Sequence, residues 1–340
     1  MSPRLTGSSC HALLTTAWEL MSSYHGISEG SLQLPGGLVQ VQTVGFESDF
    51  LYRAFSSLQS DEFDGQNLRI RLFYNKGMPS SFNPPPIALP HLELRGTLEE
   101  RFVGSHRPGM IAWLDRQEQI VVGCCDPQLL YPTELGKPLH SLLLVWHRDR
   151  GVPIIHASLL TSAGWGALLV GPENSGKSTV ALACIERGMK LVGDDYIALA
   201  EPFRGMGLYA GTWLEKYHSR VFERFQDSAL HHPDEPKSYL LLEPDLQAPQ
   251  SSIQAIIQPV VGPRDSLEPI TPELALLALS PNRLGCLTAD QEETVCRLVR
   301  STPCFRLTFN DTQKAFDLVQ RGLDLGLGKV HPWSTPPLYP

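Results

Sequence analysis

Residues 171–178 read Gly171-Pro172-Glu173-Asn174-Ser175-Gly176-Lys177-Ser178, and Thr179 follows. A glycine, four further residues and Gly-Lys-Ser form the pattern of a phosphate-binding loop, whose backbone N–H groups surround phosphates at the start of a helix. The apolar residues 165–170 before it predict a strand, and residues 179–187 after it predict a helix. In such a loop Lys177 reaches the outer phosphates and the Ser178 hydroxyl can coordinate Mg²⁺. We therefore expect residues 171–179 to bind the phosphates of a nucleotide, with Mg²⁺ at Ser178.

Two adjacent carboxylates, Asp194 and Asp195, follow the predicted helix and end the apolar segment 190–193. A helix of about eleven residues carries the chain roughly 16 Å away from the phosphates. A strand of about five residues returns it over a similar distance. We therefore expect both carboxylates beside the γ-phosphate, where one can hold the metal and the other can accept a proton from an attacking hydroxyl. The alternative is a solvated Asp-Asp turn.

His156 lies in the apolar run 152–160, which predicts the strand preceding the loop strand. In that position its side chain could orient an aspartate or contact a phosphate. A hydrogen-bonded core histidine is an equally good interpretation of the local pattern.

Taken together, these motifs resemble the catalytic core of the HPr kinase/phosphorylase family. The shared order is a histidine at a strand, the loop, an Ala-Leu-rich helix ending in Arg-Gly, and an apolar strand followed by Asp-Asp. In this chain the corresponding positions are His156, residues 171–178, residues 181–188 and residues 191–195. A weaker similarity extends to the HPr-kinase-related serine kinases of peptide-modification pathways, such as lasso-peptide maturation.

The resemblance implies an α/β fold, with a P-loop HPr-kinase/PEP-carboxykinase-like nucleotide domain behind an N-terminal mixed α+β domain. It also implies ATP and Mg²⁺ as cofactors, with Lys177 at the β- and γ-phosphates. Asp194 is implied as the general base for the acceptor hydroxyl, supported by His156, and Asp195 completes the metal site with Ser178. The family's later signature, a Glu followed by an Arg-Gly-rich segment, has no counterpart here, so the resemblance implies neither the reverse phosphorylase activity nor HPr as the acceptor.

A phosphoryl-transfer site usually needs a further cation for the charge that develops on the γ-phosphate. The candidates are Lys237, Arg264 and Arg283, all in predicted loops. We place Lys237 first because residues 236–237 fit the peptide-modifying subgroup.

The chain divides by pattern into an N-terminal α+β domain over residues 1–138, a kinase domain over 139–328 and a proline-rich tail over 329–340. A helix at 139–150 is expected to open the kinase domain. Residues 253–261 predict a strand, placed at a sheet edge because it contains Pro259. The glycine-rich residues 204–212 predict either a mobile wall of the acceptor pocket or an ordinary surface connection.

The net charge of −8 argues against broad binding to nucleic acid or to an anionic membrane surface. The apolar stretches are too short to span a bilayer. Seven cysteines without framework or metal-ligand spacing indicate reduced thiols in a cytoplasmic protein and no zinc site. Whether the chain forms a homo-oligomer stays open.

The sequence predicts an ATP- and Mg²⁺-dependent kinase that phosphorylates a Ser or Thr hydroxyl of a peptide or small protein. The alternatives are a kinase of the same fold acting on a small metabolite, and a nucleotide-binding module that recognises a peptide without transferring phosphate. A transporter-type ATPase signature and the Asn-Lys-x-Asp motif of GTPases are both absent from the sequence.

Overall fold

The computed structural model describes residues 6–47, 49–55, 68–74, 94–95, 101–200, 203–214, 222, 225, 229–231, 237–279 and 287–328. The helices are α1 Gly7–Tyr24, α2 Asp49–Ala54, α3 Pro132–Gly136, α4 His140–Asp149, α5 Lys177–Glu186, α6 Pro272–Leu279, α7 Ala289–Ser301 and α8 Thr312–Gly326. The strands are β1 Ile27–Leu34, β2 Gly37–Val44, β3 Leu68–Tyr74, β4 Leu94–Arg95, β5 Phe102–Arg107, β6 Met110–Asp115, β7 Ile120–Cys125, β8 Ile154–Ile155, β9 Ser158–Ser162, β10 Trp165–Leu169, β11 Lys190–Gly193, β12 Ile197–Ala200, β13 Arg204–Gly207, β14 Gly211–Leu214, β15 Ala229–Leu230, β16 Ser238–Leu241, β17 Gln250–Val261, β18 Ser266–Pro269 and β19 Cys304–Phe309. The fold is mixed α/β.

The chain forms two compact units. Unit 1 comprises Met1–Val152 and Ser228–Leu241, and unit 2 comprises Pro153–Asp227 and Leu242–Pro340. The expected boundary at 138/139 therefore differs from the observed one. The expected tail, residues 329–340, lies outside the described residues.

Unit 1 is built on a seven-stranded sheet in the order β1-β2-β3-β7-β6-β5-β4. Thr6 caps the N-terminus of helix α1: its hydroxyl accepts the Ser9 N–H and satisfies one of the amides of the first turn that have no partner within the helix. The helix buries Cys10, Leu14 and Trp18 against the sheet, in a core that includes Trp113 of β6.

Helix α4 belongs to unit 1 because its side chains bond to the sheet strands and turns of that unit. The Trp146 indole donates to Gln119 at 2.7 Å, and Asp149 forms a two-pronged ion pair with Arg116. The helix expected at residues 139–150 is thus present, but it closes the first unit and does not open the second.

Unit 2 is organised around the twelve-residue strand β17, which pairs in parallel with β10 and β19 and antiparallel with β13. The expected edge position of this strand is wrong. Ile257 turns its carbonyl to β10, where it accepts the Val170 N–H at 2.9 Å. Pro259 lies two residues further along β17, so the position of its missing N–H faces β10 as well. The pairing of the two strands ends at Leu169 of β10, before Pro259 is reached, so the missing N–H interrupts no hydrogen bond between them.

Helices cover both faces of this sheet. Ile256 points into a core that contains Leu279 of α6 and Val299 of α7. Its neighbour Ile257 points the other way and packs against Gly322 of α8, where an added Cβ would lie 2.9 Å from the isoleucine. Helix α5 packs beside α8 on that second face. Within the part of the chain that the structure describes, no helix is long and apolar enough to cross a membrane.

Candidate active site

The glycine-rich loop 171–176 connects the end of β10 to the start of α5. Gly171 adopts φ +154° and Gly176 φ +97°, both unfavourable for residues with a side chain. A Cβ added at Gly171 would lie 2.7 Å from the Ser175 hydroxyl, and a Cβ added at Gly176 would lie 2.8 Å from the Phe309 ring. Both glycines are therefore required by backbone conformation and by space. Asn174 takes φ +61°, a conformation that asparagine tolerates better than most residues.

The Lys177 ammonium folds back over the loop. Its Nζ donates to the carbonyl oxygens of Gly171 and Pro172, each at 2.9 Å, and the side chain is almost completely buried. Lys177 is the first residue of α5, so its charge lies at the positive end of the helix. A buried cation at the N-terminus of a helix favours a multiply charged anion at this place.

Asp194 is completely buried and accepts hydrogen bonds on both carboxylate oxygens. Oδ1 receives the Ser158 hydroxyl and, at 3.1 Å, the Asp195 backbone N–H. Oδ2 receives the Ser178 hydroxyl at 3.0 Å and the Thr212 hydroxyl. These four donors compensate for the burial of the carboxylate and fix both of its oxygens.

A close approach of two strands places this aspartate. At the end of β11, Gly193 packs on Gly207 of β13, and a Cβ at position 193 would lie 2.7 Å from the Gly207 Cα. Only glycine allows the two backbones to approach so closely. The chain consequently returns to the loop with Asp194 next to Ser178, as the sequence spacing predicted.

Asp195 is the central residue of a tight turn. Tyr196 N–H donates to the Asp194 carbonyl at 3.0 Å, and Asp195 itself takes φ +70°. A three-residue turn with positive φ is rare and strained, and such strain is often found at functional sites. The Asp195 side chain has different partners from that of Asp194, and it is 15% exposed.

Two aromatic side chains contact the Asp195 carboxylate. His156, in the link between β8 and β9, places Nδ1 3.5 Å from Oδ1. Trp213 of β14 donates its indole N–H to Oδ2 at 2.9 Å. Each oxygen of Asp195 is therefore in contact with a different nitrogen, and the side chain as a whole is partly exposed.

The oxygen atoms of this site are suitable ligands for a magnesium ion. Mg²⁺ is usually bound by one or two protein oxygens, with phosphates and water completing its ligands, and rarely by an all-protein cage. The Ser178 hydroxyl and the Asp194 carboxylate are such oxygens. In the described ranges no group of three or more His, Cys, Asp or Glu side chains is placed to hold a metal ion.

The structure brings most of the predicted site residues together. Residues 171–179, His156, Asp194 and Asp195 are linked through the loop and the contacts above. Lys237 lies in unit 1, directly before β16, and Arg264 is an exposed residue between β17 and β18. Arg283 lies outside the described residues. The additional cation therefore stays a prediction.

Three residues of the site were not identified from the sequence: Ser158, Thr212 and Trp213. Ser158 follows His156 by two residues, and Thr212 and Trp213 lie at and just after the end of the glycine-rich segment 204–212. Their closeness in the sequence to His156 and to the glycine-rich segment is a signal that they belong to the site, but the sequence does not show which carboxylate each of them contacts. The segment itself is ordered, because residues 204–207 form β13 and residues 208–210 are buried.

The chain was compared with known proteins. No protein-family profile matches it, and neither does any curated protein sequence. Among solved structures it is similar to the HPr(Ser) kinase/phosphatase from Coxiella burnetii, with 17% sequence identity and a TM-score of 0.27, over 52% of this chain and 98% of that chain. The function proposed below consequently rests on the contacts within the site.

Proposed function

We propose that this protein is an ATP- and Mg²⁺-dependent kinase that transfers the γ-phosphate to a Ser or Thr hydroxyl of a peptide or small protein. Residues 171–179 form its phosphate-binding loop, in a P-loop nucleotide domain of the HPr-kinase type. The order of motifs between His156 and Tyr196 supports this proposal, as does the geometry of the loop and the aspartate pair.

One observation carries the proposal: the hydrogen bond of 3.0 Å between Ser178 at the start of α5 and the buried Asp194. In P-loop phosphotransferases the metal is held by the loop Ser or Thr together with an aspartate from a neighbouring strand. When bound, Mg²⁺ would neutralise negative charge on the phosphates. Ser178 and Asp194 are the residues of this chain that would hold it.

The contacts favour exchanging the two aspartate roles implied by the family resemblance. Asp194 has no exposed surface, and four donors occupy its oxygens, so an acceptor hydroxyl cannot reach it without displacing one of them. Asp194 can still act on a metal through the Ser178 hydroxyl, because that hydroxyl donates its proton to Oδ2 and keeps its oxygen lone pairs for the ion. Asp195 is partly exposed and is oriented by His156 and Trp213. We therefore assign the metal side to Asp194 and the proton-accepting side to Asp195.

The reaction then uses residues of this chain in two ways, before and during the attack of the acceptor. The loop N–H groups and Lys177 bind the phosphate oxygens and hold the γ-phosphorus in place. The acceptor oxygen attacks that phosphorus while the bond to the bridging β–γ oxygen breaks, and ADP leaves. The hydroxyl proton passes to the carboxylate of Asp195, whose orientation is maintained by its two nitrogen contacts.

An acceptor screen tests the proposal. The protein is incubated with γ-labelled ATP and Mg²⁺, and with a library of Ser- and Thr-containing peptides and small proteins. Intact-mass detection identifies any acceptor that gains a phosphate, and Lys177→Ala serves as the inactive control. Label on a peptide in the wild type alone supports the proposal. Label on a small metabolite would show that the acceptor is a metabolite and not a peptide. Tight ATP binding without transfer to any acceptor would contradict the proposed kinase activity.

A further inference from the structure

We propose that strand β14 is a clamp on the aspartate pair, and that Trp213 is the residue that positions Asp195 for proton transfer. The inference rests on the proposed function, because it assigns a purpose to Asp195 within that reaction. Its structural part, a bond between the indole and the carboxylate, can be tested without any activity.

The clamp consists of two consecutive residues. Thr212 donates to Asp194, and Trp213 donates to Asp195 at 2.9 Å. Side chains that follow each other in a strand point to opposite sides, so one short strand can reach the carboxylates of two adjacent residues in a tight turn. The spacing of the donors on β14 thus matches the spacing of the acceptors at residues 194 and 195.

The chain leading into β14 is fastened to the same turn. Leu208 N–H donates to the Tyr196 carbonyl at 3.0 Å, and the rings of Tyr196 and Tyr209 meet edge to face with centroids 6.0 Å apart. Leu208 and Tyr209 are completely buried. Strand β14 is therefore held at a fixed distance from the aspartates, as a positioning element requires.

Of the two nitrogen contacts on Asp195, the indole is the tighter one. His156 Nδ1 lies 3.5 Å from Oδ1, a distance at which a hydrogen bond is weak, whereas the Trp213 bond has ordinary length. The indole N–H is a donor only and does not ionise. It can therefore hold the carboxylate through the reaction without competing for the acceptor's proton.

The first test detects the bond itself by NMR of the indole ¹H–¹⁵N signals of the six tryptophans. Trp213→Phe assigns the signal of Trp213. In Asp195→Ala we expect hydrogen exchange of that indole to accelerate about 10-fold, as loss of one hydrogen bond implies. Trp165, on β10, provides the unaffected reference signal. Exchange at Trp213 that does not respond to Asp195→Ala overturns the proposal.

The second test separates the hydrogen bond from packing. Benzothienylalanine at position 213 keeps the shape of tryptophan but replaces the N–H by sulfur. We expect it, like Trp213→Phe, to lower kcat about 10- to 100-fold while the KM for ATP stays unchanged, with Trp165→Phe as the matched control. Full activity with benzothienylalanine would show that Trp213 contributes only packing, and it would contradict a positioning role for its N–H. If the wild type phosphorylates no acceptor, the proposed function fails, and the NMR result alone decides on the clamp.

Discussion

Ser178 and Asp194, sixteen residues apart in the chain, are joined by a hydrogen bond of 3.0 Å from the serine hydroxyl to Oδ2. The bond connects the first turn of α5 with the end of β11 and brings a hydroxyl and a carboxylate to the same edge of the sheet. It is the contact on which the assignment of a metal-dependent phosphoryl-transfer site depends.

Replacing Ser178 tests the metal side of that assignment. We expect Ser178→Ala to weaken Mg²⁺ binding in the presence of ATP about 10- to 100-fold, because one oxygen donor is lost. Isothermal titration or Mn²⁺ paramagnetic resonance measures this affinity. Ser162→Ala, at the far end of β9, is the matched control. Equal metal affinity in both variants would contradict a role for Ser178 at the metal.

The two aspartates should differ in their effects on stability. Asp194→Asn turns an amide toward two of the four buried donors, so we expect a loss of about 1–3 kcal/mol in the free energy of unfolding. Asp195→Asn changes a partly exposed group and should lose clearly less. Denaturant unfolding of both variants provides the comparison. An equal or larger loss in Asp195→Asn would show that burial is not what distinguishes the pair.

Gly176 and Gly188 allow a comparison of two alanine substitutions with similar backbone strain. Both glycines have positive φ, +97° and +94°, but an added Cβ meets the Phe309 ring only at Gly176. We expect Gly188→Ala to destabilise the protein by about 1 kcal/mol, and Gly176→Ala to destabilise it more and to abolish ATP binding. Thermal unfolding and a fluorescent-nucleotide titration measure the two effects. Retained nucleotide binding in Gly176→Ala would contradict the assigned loop.

His147 of unit 1 predicts a dependence of stability on pH. Complete burial lowers the pKa of His147 to about 4, because the charged form would lose its solvation. Since the unfolded histidine titrates near pH 6.5, the unfolded state binds the extra proton between those values. The stability that the neutral form provides is therefore present above pH 6.5 and is lost as the pH falls toward 4, by about 3 kcal/mol.

Urea unfolding followed by tryptophan fluorescence checks this dependence, since the rings of Trp146 and His147 meet edge to face with their centroids 4.7 Å apart. His147→Gln removes the titrating group and should flatten the curve between pH 6.5 and 4. A variant whose stability falls as steeply as that of the wild type would assign the acid sensitivity to other residues.

The sequence predicted the parts of the site that are local in the chain. A short pattern of glycines and apolar residues specifies the loop, α5 and the return of β11 to Ser178. The order and lengths of these segments are sufficient to predict where they lie. The donors on the aspartates are not local: Ser158 lies 36 residues before Asp194, and Trp213 lies 18 residues after Asp195. Nothing in the type of a serine or tryptophan indicates which distant carboxylate it contacts.

Two errors of the sequence interpretation have a similar origin. A proline within a strand predicts an edge position, but the register of β10 leaves the missing N–H of Pro259 beyond the paired region. Helix α4 is expected to open the kinase domain, whereas its Trp146 and Asp149 side chains bond to residues of unit 1. In both cases the deciding information is the identity of the tertiary partner.

Single-turnover phosphoryl transfer in Asp195→Asn tests the central proposal most directly. The variant and the wild type are each mixed with γ-labelled ATP, Mg²⁺ and the acceptor found by screening, and nucleotide affinity is measured in parallel. We predict that transfer falls about 10²- to 10⁴-fold while ATP binds as in the wild type. Transfer at the wild-type rate by Asp195→Asn would contradict its assignment as the proton acceptor.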